Sequence, residues 1–243
     1  FEVAYDQFVL PAGKNFHTQV SKPEGEVKWD IDRQTGALRS YMYNGKEMLA
    51  SPVVLSLYRP VTDNDNRERT GGARAWKKAG LDNLVQRATF VESSAKGGKA
   101  KVELLNAEGR KVGTADFLYT LRKNGTLEVK TTFVPDTAVI TSLARVGLAF
   151  EMPDTYNQVS YLGRGEHETY ADRNRSGRIG IYHTDAERMF HYYVRPQATG
   201  NRTDVRWVNL TDEAGNGLTF GQALSVQCYS FYGYECGQGN SYQ

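Results

Sequence analysis

The sequence predicts an all-β protein built of antiparallel sheets with one short helix. Polar and apolar residues alternate with a period of two over many short segments, which is typical of half-buried strands. Asn-Gly dipeptides, which suit two-residue hairpins, follow two of these segments. Amphipathic periodicity of the helical kind is scarce, and 243 residues are enough to bury a sizeable core.

The first predicted strands show the alternation most clearly. Residues 27–31 place Val, Trp and Ile on one face and charged residues on the other. Residues 34–36 form a turn, and a second strand over 37–43 ends at the Asn-Gly pair 44–45, where a hairpin is predicted. Residues 53–58 are continuously apolar, so we expect a strand buried on both faces.

The rest of the chain continues as a meander of hairpins. A second Asn-Gly pair, at 124–125, joins two of the strands. Only residues 73–80 (ARAWKKAG) predict a helical turn. More than about ten short strands in one chain favour a sandwich or a barrel. The further predicted strands are 85–93, 99–106, 112–123, 126–134, 142–152, 159–162, 204–210 and 218–226.

Composition excludes several classes of partner. Lysine and arginine (30) nearly balance aspartate and glutamate (28), and both signs are interspersed, so we expect no nucleic acid partner. No segment approaches the roughly 20 apolar residues of a membrane helix, so we expect no membrane partner. Cys228 and Cys236 form no metal-site spacing and leave cytoplasm and periplasm equally open.

Three polar stretches interrupt the strands, at residues 59–74, 163–173 and 195–206. Loops at strand ends often carry binding sites, although arginine and aspartate in such loops also pair to hold the corners of a fold. Asp63-Asn64-Asp65 lacks the glutamate that completes an EF-hand calcium loop. Dinucleotide, zinc-protease and serine-hydrolase motifs are missing, so we predict neither a metal site nor a catalytic residue.

The tryptophans are candidates for stacking on a sugar ring. Trp29 and Trp207 fall on apolar faces of predicted strands, which favours a role in the core. Trp76 lies in the segment where a polar loop passes into the predicted helix, so we expect it to be the better exposed of the three.

Four segments resemble a known family. IDRQTGALRSYMYNGKEMLASPVVLSLYRPVTDND and ARAWKKAGLDNL are similar to the C-terminal domain of large bacterial β-galactosidases of glycoside hydrolase family 2. YLGRGEHETYADRNRSGRIGIY and RPQATGNRTDVRWVNL resemble its hallmarks G-R-G-P-x-E-N-Y-x-D-R and P-Q-E-x-G-N-R-T-D-V-R-W. The likeness spans about residues 1–226 and implies an antiparallel supersandwich similar to galactose mutarotases, with two large sheets packed face to face.

The resemblance also implies partners. In this family a separate (β/α)8 barrel supplies the catalytic glutamates of a retaining hydrolase and the magnesium and sodium ligands. The chain would brace that barrel and shape the site for a galactoside, and by itself it would be inactive and need no cofactor. Residues 1–12 resemble a strand or linker from a preceding immunoglobulin-like domain, and residues 13–243 would form the supersandwich.

Two groups of residues follow from the three polar stretches and the resemblance. Residues 66–74 resemble a mobile loop at the substrate site, for which Gly71 and Gly72 would give a hinge. We call the expected substrate-facing residues the rim group: Arg59, Asp63, Asn64, Asp65 and Trp76. We call the expected buried, loop-fixing residues the polar corner: Arg164, Glu168, Tyr170, Asp172, Arg173, Asn201, Arg202, Asp204 and Arg206.

The sequence departs from the family at Glu166, Thr169, Ala198 and Thr199, and more strongly at its end. GYECGQGNSYQ does not resemble the family's final G-G-D-D-S-W region. A domain that lacks those last strands would have unpaired sheet edges, so we expect association into a homo-oligomer.

A different class of function is the alternative. The mutarotase-like fold would allow an independent sugar-binding or aldose 1-epimerase-like domain, with acid and base groups among Glu166, His167 and Glu168. A third possibility is a purely structural domain for subunit contacts, which differs from the first only in whether residues 59–74 face a sugar.

Overall fold

The computed structural model describes residues 7, 25–67, 72–195, 197–221 and 225–228. These residues fall into two compact units that divide between residues 153 and 154, and Gln7 belongs with the second. We call them the first unit and the second unit. Antiparallel strands make up most of the regular secondary structure of both, so the predicted all-β class is confirmed.

The described part of the first unit contains three antiparallel sheets and two short helices. The sheets have the strand orders β1-β2-β3, β4-β9 and β5-β6-β7-β8. The elements are β1 (Val27–Ile31), β2 (Leu38–Tyr43), β3 (Lys46–Glu47), β4 (Val54–Ser56), α1 (Asp63–Arg67), α2 (Gly72–Ala79), β5 (Val85–Ser94), β6 (Gly97–Leu105), β7 (Lys111–Leu121), β8 (Leu127–Pro135) and β9 (Gly147–Ala149).

The hairpin predicted at the first Asn-Gly pair is present. Tyr43 pairs with Lys46, which leaves Asn44 and Gly45 as a two-residue loop. Their φ angles are +50° and +77°, the left-handed values that this hairpin turn requires.

The core of the first unit lies between the four-stranded sheet and the elements that cover its inner face. Trp29 of β1 contacts Tyr119 of β7 at a centroid distance of 6.0 Å, and Tyr119 stacks on Phe117. Helix α2 adds one apolar face because its small and aromatic residues recur every three positions. The buried residues from β6, β7 and α2 are Ala100, Val102, Leu104, Val112, Ala115, Phe117, Tyr119, Ala73, Trp76 and Ala79.

Gly36 lies in the turn after β1, where it packs against side chains of the four-stranded sheet. Its φ is +71°, and an added Cβ would lie 2.8 Å from Cγ1 of Val102 and 2.9 Å from Cβ of Ala100. The Tyr119 hydroxyl donates a hydrogen bond to the Gly36 carbonyl at 3.0 Å. The position therefore requires glycine for both its backbone conformation and the space available.

We expect Gly36→Ala to lower the free energy of unfolding by about 3 kcal/mol, from left-handed strain and overpacking together. Gly45→Ala is the matched control, because Gly45 has φ +77° but no atom within 4 Å of an added Cβ. It should cost only about 1 kcal/mol. Chemical denaturation followed by circular dichroism measures both, and equal losses would contradict the packing contribution.

The described part of the second unit contains two antiparallel sheets, ordered β11-β10-β13-β14 and β12-β15. Its core cluster is formed by Val159, Tyr161, Met189, Val205 and Val208. The strands are β10 (Gln158–Gly165), β11 (Arg178–Asp185), β12 (Asn201–Thr203), β13 (Trp207–Thr211), β14 (Gly217–Gly221) and β15 (Ser225–Gln227).

The outer edge of β11 is contacted by a residue from the start of the chain. The Gln7 amide donates to the Ile179 carbonyl at 3.1 Å and accepts the Ile179 N–H at 2.6 Å. The other residues of the predicted strand or linker 1–12 lie outside the described residues, and association through a sheet edge stays a prediction.

Several sequence-based boundaries need correction. Residues 53–58 are not buried on both faces: Val53, Leu55 and Leu57 are buried and the residues between them are partly exposed. The strand predicted over 142–152 is only the three residues of β9. The strand predicted over 204–210 begins at Trp207, since Asp204 adopts a φ of +53°.

Four elements are missing from the sequence-based prediction: the strands β3, β11 and β12 and the helix α1. One helical turn was expected, and the described residues contain two short helices. The signal for α1 is a threonine followed three residues later by an aspartate, Thr62-x-x-Asp65, a variant of the capping box at helix starts.

Candidate functional site

The rim group contains a bidentate ion pair, which lies in the first unit. Arg59 Nη1 donates to Asp65 Oδ2 at 2.6 Å, and Nη2 donates to Oδ1 at 3.1 Å. Asp65 Oδ2 also accepts the Thr62 N–H at 2.6 Å and the Thr62 hydroxyl at 2.8 Å. Because both carboxylate oxygens are engaged, Asp65 does not fit the role of a cation ligand.

The same contacts fix the start of α1. Thr62 precedes the helix, and its hydroxyl accepts the Asp65 N–H at 3.4 Å while the Asp65 carboxylate accepts the Thr62 N–H. Asp63 and Asn64 lie in the first turn of α1 and are exposed. Of the five rim residues, the structure thus joins Arg59 to Asp65 and leaves Asp63 and Asn64 at the surface.

Trp76 is buried, with 4% of its surface exposed, so the prediction that it is the better exposed tryptophan is wrong. The reason is the amphipathic face of α2, which turns the indole into the core. Trp76 Nε1 donates to Ser142 Oγ at 3.2 Å, and the ring packs edge-on against Tyr58. The Arg59 guanidinium lies 5.3 Å from the indole centroid, within cation–π range.

Both ends of the mobile loop expected over 66–74 are helical, so the predicted loop bounds are wrong. Helix α1 reaches Arg67, and α2 begins at Gly72, whose φ is +58°. Residues 68–71, including Gly71 of the expected hinge, lie outside the described residues.

The pKa of Asp65 lies below its ordinary value of 3.8: burial raises it, but the hydrogen bonds from Arg59 and Thr62 lower it more. A carboxyl with a depressed folded-state pKa stabilises the protein above its unfolded-state pKa, and this contribution is lost as pH falls through the folded-state value. We expect Asp65→Asn to cost about 2 kcal/mol at pH 7. Below pH 3.8 the difference from the unmodified chain should shrink.

Denaturant titrations at pH 7 and in steps below pH 4 measure this difference. Asp63→Asn is the matched control on the same helical turn, and we expect less than about 1 kcal/mol from it. A cost for Asp65→Asn that is constant with pH would contradict the assigned role of the carboxylate.

The polar corner, in the second unit, centres on Glu168. Its side chain is 8% exposed and accepts hydrogen bonds from four groups. Oε1 accepts from Arg173 Nη2 at 2.6 Å and from the Tyr193 hydroxyl. Oε2 accepts from the Gly200 N–H at 2.8 Å and from Thr199 Oγ1 at 3.2 Å. Burial raises the pKa of Glu168, but these hydrogen bonds lower it more, so the group remains an ionised acceptor.

Arg173 connects this carboxylate to an aromatic ring. Its guanidinium lies 4.7 Å from the centroid of Tyr170 and donates to the Tyr193 hydroxyl at 2.8 Å. Burial raises the pKa of Tyr170, which therefore stays protonated at neutral pH. Tyr170, Arg173 and Glu168 together fix the segment between β10 and β11.

A second set of contacts connects the end of β10 and the segment before β11 to the residues around β12. Arg164 Nε donates to Asp204, and Arg164 Nη1 donates to the Gly177 carbonyl at 2.9 Å. Asn201 Nδ2 donates to the Thr169 carbonyl at 2.8 Å. Arg206 donates to the Asp204 carbonyl. Four members of the corner that were expected to be buried are exposed: Asp172, Arg173, Asp204 and Arg206.

Arg202 is the most deeply buried charged residue of the corner, at 4% exposure. Its Nε donates to the Tyr161 hydroxyl at 2.9 Å, and its Nη1 donates to the Gly200 carbonyl at 3.1 Å. Arg202 and Glu168 both border a cleft of about 380 Å³, which Glu166 and His167 also line.

Sequence reasoning missed the residues that complete these clusters. Tyr193 and Thr199 donate hydrogen bonds to Glu168 from 25 and 31 residues away in the sequence. Ser142 accepts a hydrogen bond from Trp76, which lies 66 residues away. Only Thr62, in its capping pattern, left a local signal. Thr169 and Thr199, noted as departures from the family, are buried and hydrogen-bonded, to Thr203 and Glu168 respectively.

Known proteins of one family share the sequence features described above. Residues 23–239 match the sequence profile of the β-galactosidase small chain. The chain belongs to the β-galactosidase small chain family. The resemblance inferred from the four segments is thereby confirmed.

Individual relatives are β-galactosidases of several bacteria. The protein of Priestia megaterium is 29% identical over 234 residues, which cover 90% of this chain and 22% of the relative. That of Actinobacillus pleuropneumoniae is 29% identical over 211 residues, covering 84% and 20%. β-Galactosidase BgaC of Bifidobacterium adolescentis is 29% identical over 204 residues, covering 77% and 18%. The chain spans about a fifth of the length of these curated relatives.

Within the described ranges, no three His, Cys, Asp or Glu side chains are grouped so that they could hold a metal ion. None of the helices in those ranges is long and apolar enough to cross a bilayer.

Proposed function

We propose that this chain is the small-chain domain of a β-galactosidase. In the whole enzyme it would brace the catalytic barrel and shape the saccharide site during hydrolysis of terminal β-galactosides. The family match over residues 23–239, to proteins about five times as long, is the observation that carries the proposal. The remaining length of those relatives leaves room for the barrel and other domains.

The chemistry of the described carboxylates supports an accessory role. Retaining hydrolysis needs a carboxylic acid with a raised pKa and a nucleophilic carboxylate roughly 5–5.5 Å away. Glu168 has a lowered pKa and four hydrogen-bond donors, and Asp65 is engaged by Arg59 and Thr62. We therefore assign the catalytic glutamates, with the magnesium and sodium ligands that the family implies, to the barrel, and expect this chain alone to be inactive.

Asp63 and Asn64 are the residues best placed for a role at the saccharide rim. Both are exposed on the first turn of α1, and the Arg59–Asp65 ion pair with the Thr62 cap holds that turn in place. Side chains on a fixed turn can donate to or accept from sugar hydroxyls at little entropic cost. Trp76 would act only indirectly, as the buried support beneath Arg59.

A chimera tests the proposal. The matching fifth of the Priestia megaterium relative is replaced by this chain, and hydrolysis of a chromogenic β-galactoside is measured. We expect the chimera to hydrolyse the substrate and the same protein without the fifth to be inactive. A chimera that folds, by circular dichroism and gel filtration, but does not hydrolyse the galactoside would overturn the proposal.

The rim role is tested within that chimera by Asp63→Ala with Asn64→Ala. Loss of ground-state contacts should raise KM roughly threefold or more with little change in kcat. Lys77→Ala, an exposed change on α2, is the control and should leave KM unchanged. An unchanged KM in the double variant would assign residues 59–74 to domain contacts instead of the sugar.

The alternative, a sugar-binding or aldose 1-epimerase-like domain, rests on the cleft that Glu166 and His167 border as exposed residues. Glu168, the third candidate, is engaged by four donors and is a poor base. A proton NMR time course of the full chain with freshly dissolved α-galactose separates the two. Unaccelerated anomer exchange is expected for the accessory domain, whereas fast exchange would support the epimerase.

A further inference from the structure

Arg202 is a buried cation that forms no ion pair with a carboxylate among the described residues. Its hydrogen-bond acceptors there are neutral: the Tyr161 hydroxyl, the Gly200 carbonyl and, at 3.4 Å, the Asn201 carbonyl. The Tyr161 ring, 5.9 Å from the guanidinium, is neutral as well. Arginine does not release its proton in proteins, so the charge persists despite 4% exposure.

One guanidinium nitrogen of Arg202, Nη2, has no hydrogen-bond acceptor among the described residues. Nε and Nη1 make the hydrogen bonds to neutral groups, and within the part of the chain that the structure describes Nη2 makes none. A buried charged donor without an acceptor is costly, so such a group favours an anionic ligand where space allows. Arg202 lines the cleft of about 380 Å³, which is within the size range of small-molecule sites.

The other charged side chains that line the cleft are compatible with the binding of a negative group. Glu168 is paired with Arg173, so its charge is already matched. Arg188 lines the cleft and keeps most of its side chain in solvent, at 81% exposure, beside Asp185. Glu166 is the exposed carboxylate that would oppose an anion. Phe190 adds an apolar surface to the cleft, where the ring of a sugar could pack.

We propose that this cleft binds a small acidic sugar, with one oxygen of a carboxylate or phosphate group accepting a hydrogen bond from Nη2 of Arg202. The cleft belongs to the second unit and the rim group to the first. The inference goes beyond the proposed function. Carboxylate and phosphate share the chemistry that a guanidinium recognises. The two sources are distinguished by the ligands used in the test.

The test is calorimetric titration of the full chain with galacturonate, galactose 6-phosphate and galactose, which differ only at carbon 6. We expect at least one acidic sugar to bind about tenfold or more tightly than galactose, because a charge-assisted hydrogen bond is lost with the neutral sugar. Preference for galacturonate identifies a carboxylate site, and preference for the phosphate ester a phosphate site. Equal binding of all three, or no binding, would overturn the proposal.

Variants locate the site. Arg202→Gln should reduce the affinity for the acidic sugar about tenfold or more. Because that buried change can also disturb folding, Glu166→Gln provides an independent test on an exposed residue, and we expect it to raise the affinity roughly two- to fivefold. Glu187→Gln is its control, with the same change of charge on an exposed residue that does not line the cleft. Equal effects of the two glutamine variants would place the ligand elsewhere.

Discussion

Trp76→Ala is expected to lower the free energy of unfolding of the first unit by about 4 kcal/mol. The indole is 4% exposed and lies in the core cluster with Leu55 and Leu57, so its removal leaves a cavity. The variant also loses the hydrogen bond to Ser142 and the ring beneath the Arg59 guanidinium. Denaturant unfolding followed by far-ultraviolet circular dichroism measures the change.

Two companions make this result specific. Trp76→Phe keeps an aromatic ring in the core and should cost about half as much as the alanine variant. Lys77→Ala changes an exposed neighbour on the same helix and should stay within about 0.5 kcal/mol of the unmodified chain. A loss below about 1 kcal/mol for Trp76→Ala would show that the indole is not buried and would restore it as a candidate for stacking on a sugar.

Glu168→Ala is expected to destabilise the second unit by about 3 kcal/mol. The substitution removes the acceptor for the Gly200 N–H, the Tyr193 hydroxyl and Arg173 at once. Gly200 is buried, so its N–H loses its partner in a region that water reaches poorly. The loss is smaller than for many buried ion pairs because Arg173 remains 51% exposed and can be solvated.

Glu166→Ala is the matched control for this prediction. It removes the same charged group two residues earlier, from an exposed position, and should change the stability by less than about 0.5 kcal/mol. Arg173→Gln should cost less than Glu168→Ala, because the arginine contributes one of four donors. Equal losses from Glu168→Ala and Glu166→Ala would contradict the polar corner as a stabilising cluster.

In the proposed enzyme, the Arg59–Asp65 pair and the Glu168 cluster would have different roles. The Arg59–Asp65 pair would position exposed residues for contact with a saccharide, whereas the Glu168 cluster joins segments within the second unit. Variants at Glu168 should therefore reduce the thermal stability of the chimera's hydrolase activity, whereas those at Asp63 and Asn64 should act on KM.

Local patterns determined the features that depend on neighbouring residues. Alternation over residues 27–31 and 99–106 predicts the strands observed as β1 and β6, because side chains of a strand point to opposite faces in turn. Asn44-Gly45 identifies a hairpin, because its turn requires positive φ at both positions. The four family segments identified the family without any knowledge of the fold, since a motif is a property of residue order.

Tertiary structure alone decided which polar and aromatic residues meet, and how deeply each is buried. The alternation that places Trp29 correctly has no counterpart for Trp76, whose burial depends on the packing of α2 against distant strands. The four donors to Glu168 come from residues 5 to 32 positions away, so their convergence depends on the chain's path through the second unit. Contacts over such separations leave no pattern among neighbouring residues. The free energy that stabilises these contacts comes from burial and hydrogen bonding, which arise only in the folded state.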